Sequence, residues 1–367
     1  MKALALAIVP RSRPSRLLLT LIPVLTVAMT AVTTVVLFSM LGASPRVVLY
    51  TFFIEPLSSP YNIGEVLIKA SPLILIAQGL AIGFRAKVWN IGAEGQLIIG
   101  AICASLIPIH WPEGQSAWML PGMIVTGAVA GMGWAGIAAF FRTRFNASEI
   151  IVTLMLTEIA RQILYYLIVG PLRDPRGFNF PQSIVFPDAA LYPTLWDGSR
   201  ANLSVVVTLA VSLGCWFFAT KSFAAYRLFL GGVAPNAARY AGFSESRAIW
   251  ISLLVGGAAA GLAGVGEIAG PIGKLQPILS PGYGYAGIIV AFLGGLDALG
   301  IVCAGLFMAI IYVGGDNALV SAHIPSAATV VFQGLLMVFY LAIFMLVNHR
   351  IERVHRLATA GAINASA

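Results

Sequence analysis

Seven residues, Asn90-Ile-Gly-Ala-Glu-Gly-Gln96, break two long apolar runs with the densest grouping of polar and glycine residues found at such a place in the chain. Gly92 and Gly95 permit irregular backbone. A helix resuming near Leu97 would present free N–H groups and the positive end of its dipole. On one reading the helix is discontinuous and lines a solute pathway, with Asn90, Glu94 and Gln96 supplying hydrogen bonds. On the other it is a plain inner turn capped by Asn90 and Glu94, since Arg85 and Lys87 come just before. The residues alone leave both open. A second grouping, Glu158 and Arg161, stands at i, i+3 in the middle of another apolar run. Charge in lipid is costly, so this pair is either a pathway element or a staple whose members neutralise each other.

The remaining polar residues suggest less. Glu65 and Lys69 are i, i+4 near one end of a run, where snorkelling is easy. Glu267 sits near the end of another, and Asp316, Asn317 and His323 read as a short outer turn. No chain of Asp, Glu and His at one depth suggests a proton relay. Cys103, Cys215 and Cys303 lie in apolar runs with no metal-ligand or disulfide spacing, so they read as small packing residues and no metal is expected. Gly282-Tyr-Gly284-Tyr-Ala-Gly287 spells the dinucleotide fingerprint. That fingerprint works after a strand in a βαβ unit, whereas this stretch follows Pro281 and reads as a flexible entry to an apolar segment. The sequence contains no G-x-x-x-x-G-K-[ST] phosphate loop.

The elements that must hold these residues are helices in lipid. Of 367 residues, 59% are hydrophobic and only 10% charged, with a mean hydropathy of +0.90. A soluble domain carries about 25% charged residues, so this chain cannot cover its surface with charge. Nearly uncharged runs lie at 17–41, 62–84, 95–112, 118–141, 146–170, 203–220, 248–270, 280–296, 298–315 and 327–347. Most reach the ~20 residues a helix needs to cross the hydrocarbon, and they are too long for barrel strands. The expected fold is all-α and polytopic, with about ten transmembrane helices and a discontinuous helix near 90–97. The eighth and ninth runs are short and glycine-rich, which suits a tight hairpin. The first run is too long for a signal-peptide core and reads as a retained span.

The net charge of +8 is topological rather than a sign of nucleic-acid binding. With ten spans and both ends inside, 15 of the 22 basic residues fall in inner segments, as basic residues do in cytoplasmic loops. The domain layout is then an inner tail at 1–16, one transmembrane domain at 17–347, and an inner tail at 348–367. Two long connections stand out within it, an outer loop at 171–202 and an inner basic loop at 221–247. Gly127 and Gly131, Gly257 and Gly261, and Gly266 and Gly270 have the spacing that lets helix backbones approach closely. They serve either subunit contact or packing within one chain.

A resemblance adds to this. Asn90-Ile-Gly-Ala-Glu-Gly-Gln96-Leu-Ile-Ile-Gly-Ala101 is similar to the hallmark segment of permeases in bacterial ABC importers of the branched-chain amino-acid, simple-sugar and nucleoside superfamily. Ser148-Glu-Ile-Ile-Val-Thr-Leu-Met155, Gly284-Tyr-Ala-Gly-Ile-Ile-Val-Ala-Phe-Leu-Gly294, Ala322-His-Ile-Pro-Ser-Ala-Ala328 and Phe332-Gln-Gly334 continue the likeness in the same order. It covers about 60–345 and most resembles the nucleoside-type branch. Gly231-Gly-Val-Ala-Pro-Asn-Ala-Ala-Arg-Tyr-Ala-Gly242 resembles the family's coupling region, a short helix that inserts into a cleft of the ATPase. Its residues suit that role. Pro235 can start a short helix and Gly242 can end it, while Arg239 and Tyr240 offer contacts of the hot-spot kind. Gly232 and Asn236 complete the candidate set. The sequence departs from the family at Ala234 and Thr157, where members often have Asn. The first change alters a cap. The second would tune substrate preference, with Thr157 facing the interior if Glu158 and Arg161 do.

The resemblance implies a subunit that is not itself an enzyme and binds no cofactor, with ATP-Mg held and hydrolysed by partner ABC ATPase subunits. It further implies a second, homologous permease in a heterodimer, an extracytoplasmic substrate-binding protein or lipoprotein, and a place in the bacterial inner membrane. Nucleosides or purine bases are the first expectation for cargo and simple sugars the second. A stand-alone ion-coupled transporter would need mid-membrane ion ligands, and an integral membrane enzyme would need a His-rich or Asp-rich constellation; neither pattern is evident.

Overall fold

Why these segments become helices is visible at their ends. The computed structural model describes residues 4–10, 16–40, 44–321 and 327–355. A strand β1 (Leu4–Pro10) precedes α1 (Arg16–Met40) and the short α2 (Pro45–Leu49), which winds on through a π turn and a 3-10 turn to Leu57. Then come α3 (Pro60–Arg85), α4 (Ala93–His110), α5 (Met119–Phe145), α6 (Glu149–Val169), α7 (Ser204–Lys221), α8 (Phe223–Val233) and α9 (Pro235–Tyr240). The chain closes with α10 (Glu245–Glu267), α11 (Tyr283–Leu293), α12 (Ala298–Ser321), α13 (Ala327–Asn348) and a second strand, β2 (His349–His355). Ser59 caps α3 by accepting from the Asn62 N–H at 3.1 Å, with Pro60 at the first helical position. Ser244 caps α10 in the same way, through the Arg247 N–H at 3.3 Å. Asn146 ends α5 in the left-handed region at φ 52°.

The ten apolar runs correspond to α1, α3 to α7 and α10 to α13, and among the described residues eight helices are long and apolar enough to cross a membrane. The chain is a polytopic helical membrane protein with a broken helix before α4. The eighth run is different: α11 has 11 residues, about 16 Å of rise, and cannot cross alone. It is a half-helix folded against α12 through a turn at Gly294–Asp297, where Gly295 and Leu296 take positive φ. In turn α12 is longer than its run. Asp316 and Asn317, expected in an outer turn, are helical residues of α12, and the Asp316 carboxylate is held by Lys69 at 2.9 Å. His323 lies outside the described residues.

Two compact units make up the chain: Arg46–Thr329, and the chain ends Met1–Pro45 with Val330–Ala367. In the second, β1 and β2 pair antiparallel, from Leu4 opposite His355 to Pro10 opposite His349. No sequence pattern announced this ladder.

In the larger unit α10 is the central post, packed against α3, α4 and α5. Its glycines make this approach close. A Cβ on Gly261 would collide with the Gly127 carbonyl, one on Gly257 with Gly131, and one on Gly264 with Leu97. Two of the small-residue pairs therefore pack α10 on α5 within this chain. By contrast α6 and α7 keep large apolar faces exposed, including Tyr166, Leu213 and Phe217, as helices bathed in lipid or covered by another subunit do.

Candidate functional site

Helix α3 ends where Val88 donates to the Gly83 carbonyl at 2.9 Å and Lys87 adopts φ 57°. The chain then turns back along the start of α6. Trp89 N–H donates to the Glu149 carboxylate at 3.4 Å and Ile91 N–H to Thr153 Oγ1 at 3.3 Å. Only glycine fits here. A Cβ on Gly92 would lie 2.6 Å from the Thr153 carbonyl oxygen, and one on Gly95 would lie 2.7 Å from Thr157 Cα. Thr153 and Thr157 stand one and two turns into α6, so the break lies about 6 to 12 Å inside the bundle from that helix's start.

Asn90 and Gln96 form a closed amide pair. Asn90 Nδ2 donates to Gln96 Oε1 at 2.9 Å, and Gln96 Nε2 donates back to Asn90 Oδ1 at 3.0 Å. Asn90 Oδ1 also accepts the Gly92 N–H at 3.0 Å. Both side chains are buried, so they satisfy each other and set the shape of the break. Because the segment from 90 to 96 is buried and bonded to a neighbouring helix, it is not a plain exposed turn.

Glu94 occupies the point where two helices begin. It lies in the first turn of α4, and its Oε2 accepts the Gly284 N–H of α11 at 2.7 Å and the Ser280 hydroxyl at 3.2 Å. Ser280 Oγ in turn accepts from the N–H groups of Tyr283 at 2.7 Å and Gly282 at 3.0 Å. Gly282 makes the turn at φ 95°, and a Cβ on Gly284 would strike the Glu94 backbone. Two helix starts thus converge on one buried carboxyl group, which answers N–H and hydroxyl donors that would otherwise lack a partner. Gly282 and Gly284 of the G-x-G-x-x-G spelling are explained by this turn and crossing, whereas Gly287 packs on Ile76 of α3.

The other candidates divide. Thr157 is fully buried, bonds its own helix at the Thr153 carbonyl (3.1 Å) and packs on Gly95. Glu158 and Arg161 pair at 2.7 Å, but their side chains are 56% and 43% exposed, outside the buried stripe of α6. Thr157 thus faces the interior although Glu158, about 100° from it around the helix, does not. Tyr285, in the first turn of α11, lies beside Arg161 and brings this exposed pair next to the Glu94 junction. Sequence reasoning missed Tyr285. Its position three residues before Ile288, on a half-helix read as a full span, hid it.

At the end of the bundle where α10 starts, most of 221–247 is helical. Gly232 belongs to α8, and the short helix begins only at Pro235. It closes with a left-handed Gly242 (φ 77°) and a Phe243 N–H donated to the Ala238 carbonyl at 2.9 Å, which is the Schellman pattern. Arg239, Asn236 and Tyr240 are exposed, Tyr240 at 96%. Arg239 reaches Glu245 at 3.8 Å. A Cβ on Gly232 would collide with the Arg85 carbonyl, so α8 rests on the turn that leads to Asn90. A cavity of about 430 Å³ lies between these parts, lined in part by Lys87, Arg142, Glu149 and Arg239.

At the other end, the loop 171–202 lies along 269–275. Ser183 N–H donates to the Leu275 carbonyl at 3.0 Å, and Lys274 Nζ to Gln182 Oε1 at 2.8 Å. Phe178 and Phe180 stand exposed at its tip. Under this loop the chain gathers charges that the sequence separates widely. Glu65 is 3.4 Å from Arg200 and Lys69 is 2.9 Å from Asp316, rather than each answering the other. Glu267 is buried among them. No group of three or more His, Cys, Asp or Glu among the described residues is placed to hold a metal ion.

Comparison with known proteins bears on all of this. A family profile described as "Branched-chain amino acid transport system / permease component" matches residues 62–341. A glucose ABC transporter permease protein of Haloferax volcanii is 35% identical over 86% of this chain and 86% of its own length. A guanosine ABC transporter permease protein of Bacillus subtilis is 31% identical over 76% of this chain and 80% of its own, and a nucleoside ABC transporter permease protein of Lactococcus lactis is 27% identical over 81% and 83%. The expected leaning toward the nucleoside branch is not upheld by these figures, since a glucose permease matches at least as well.

Proposed function

The chain belongs to the family of permease components of branched-chain amino-acid-type transport systems, and as a transmembrane permease subunit of an ABC-type importer it is not itself an enzyme; we propose that it moves a small neutral solute carrying a sugar moiety, a nucleoside or a simple sugar. Relatives named for glucose and for guanosine support that cargo class. The solute crosses where α4, α6 and α11 meet, past Glu94, Arg161 and Tyr285. Glu94 fixes the two half-helix ends, while the exposed Glu158–Arg161 pair and Tyr285 offer the groups a passing hydroxyl or amide can use.

ATP-Mg is bound and hydrolysed by separate ABC ATPase subunits. Their movement enters this chain through α9, with Pro235, Asn236, Arg239, Tyr240 and Gly242 forming the docking hook. The observation that carries this reading is the seat of Gly232 on the Arg85 carbonyl. A push on α9 reaches α8, then the turn after α3, then the break at Asn90, then Glu94, through backbone too closely packed to absorb it. A second, homologous permease covers the exposed faces of α6 and α7. The loop at 171–202 receives solute from an extracytoplasmic binding protein or lipoprotein. Both chain ends and α9 lie in the cytoplasm of a bacterial inner membrane, with 17–347 acting as one transmembrane permease domain.

Co-purification tests the coupling. A tagged chain expressed with its ATPase should bring that ATPase down, and Arg239→Glu or Gly242→Val should lose it while the permease remains monodisperse. Labelling of a Tyr240→Cys variant by an impermeant reagent from outside intact cells would sink the reading.

A further inference from the structure

At the outer end of the larger unit, a cavity of about 320 Å³ opens among α3, α10 and the loop at 171–202. Glu65, Lys69, Arg200, Glu267, Gln276 and Tyr283 line it. Its acceptors are poorly used. Glu267 is only 6% exposed, and no described residue hydrogen-bonds its carboxyl group. Arg200 donates to Glu65 Oε2 at 3.4 Å and stands 3.4 Å from the buried Oε1 in an ion pair without a hydrogen bond. Buried polar groups are ordinarily paired, and unpaired ones call for a partner. The cations at the rim are already engaged, Lys69 with Asp316 at 2.9 Å and Arg200 with the Pro271 carbonyl at 3.1 Å.

We propose that this cavity is a binding site, within a single permease chain, for a neutral polyhydroxyl solute such as a sugar or the ribose of a nucleoside. A bare cation would be repelled by Lys69 and Arg200 at the rim, and an anion would face Glu65 and Glu267. Hydroxyl groups donate to the carboxyl oxygens and accept from guanidinium and amide groups without carrying net charge into a place of low dielectric. The volume stands near the lower end of the ~300–1,000 Å³ usual for ligand pockets, enough for one small solute. Tyr283 supplies an aromatic wall, and the next residue, Gly284, donates to Glu94. One wall residue of the cavity is therefore joined by a single peptide bond to the residue that holds Glu94. A solute held here waits one residue away from the point that the proposed coupling moves.

This inference rests on the reading of the chain as a permease for a small polar solute, and it is tested without the ATPase. The purified full chain in lipid nanodiscs is titrated with D-glucose and guanosine at up to millimolar concentration, each beside an analogue lacking two neighbouring hydroxyls. At least one probe should bind saturably, and its deoxygenated analogue should bind at least about tenfold more weakly. Glu267→Gln, which keeps the shape of the side chain, should weaken binding at least about tenfold, and Gln276→Leu at the mouth by about threefold or more. If Glu267→Gln does not fold, Gln276→Leu decides. The inference is overturned if neither probe binds, if the analogues bind as well as their parents, or if the folded variants bind like the unchanged chain. Failure here leaves the ATPase co-purification result standing, and failure there leaves this one.

Discussion

Where α4 meets α11, Glu94 receives hydrogen bonds from Gly284 and Ser280 and the Asn90 and Gln96 amides answer each other, whereas beneath the loop at 171–202 Glu267 is also buried and receives none from the described residues. Both regions hold polar groups deep in an apolar bundle. The first has the character of a structural joint, with Glu94 Oε2 and the Asn90 and Gln96 amides met within the chain and glycines admitting backbone against backbone. The second has the character of a vacancy between charged walls. Burial alone does not separate a joint from a site; the hydrogen-bond census does.

Variants can break or sharpen that contrast. The largest effect is expected from Gly284→Val, because its side chain would enter the Glu94 backbone. Overpacking of that kind should cost roughly 3 kcal/mol or more, read as loss of monodisperse protein or a steep fall in melting temperature. Glu94→Leu comes next. It strands the Gly284 N–H and the Ser280 hydroxyl, for a loss of about 1.5–3 kcal/mol.

Asn90→Ala leaves the Gln96 amide alone in the core, costing about 1–3 kcal/mol. Asn90→Leu combined with Gln96→Leu should recover part of that in a thermal-melt cycle, and strict additivity would show that the two amides do not act as a pair. At the outer end the sign should change. Glu267→Leu removes an unanswered carboxyl group, so the melting temperature should hold or rise while uptake falls; a drop as large as that of Glu94→Leu would erase the distinction between the two ends. The smallest effect belongs to Asp316→Asn, whose ion pair with Lys69 is largely solvent-exposed on the Asp316 side and should contribute no more than about 1 kcal/mol.

Some of the inner joint was readable in advance. The grouping of Asn90, Glu94 and Gln96 with Gly92 and Gly95 announced a break, because polar and glycine residues inside an apolar run have few other uses. Pro235 and Gly242 marked the two ends of α9 to within two residues, because proline and glycine act through local backbone geometry. The outer cavity was not readable. Glu65 and Lys69 are neighbours on one helix face and look like partners, yet each turns to a residue more than 100 positions away. The direction of Thr157 was tied to that of Glu158 and Arg161, and only the packing of Gly95 shows that Thr157 points inward.

Composition and run length decided by themselves that this chain lives in lipid as a bundle of helices, since 10% charged residues cannot solvate a surface and lipid requires backbone bonds to close within each span. Local backbone chemistry likewise decided where helices start, stop and break. Only the tertiary structure decided that α11 is a half-helix seated on Glu94, that the glycine pairs join α10 to α5, and that five distant charges gather beneath the outer loop. The physical reason is range. Propensity, capping and hydropathy act over a few residues of one segment, whereas a hydrogen bond between Glu94 and Gly284 spans 190 positions and exists only once the helices between them have packed.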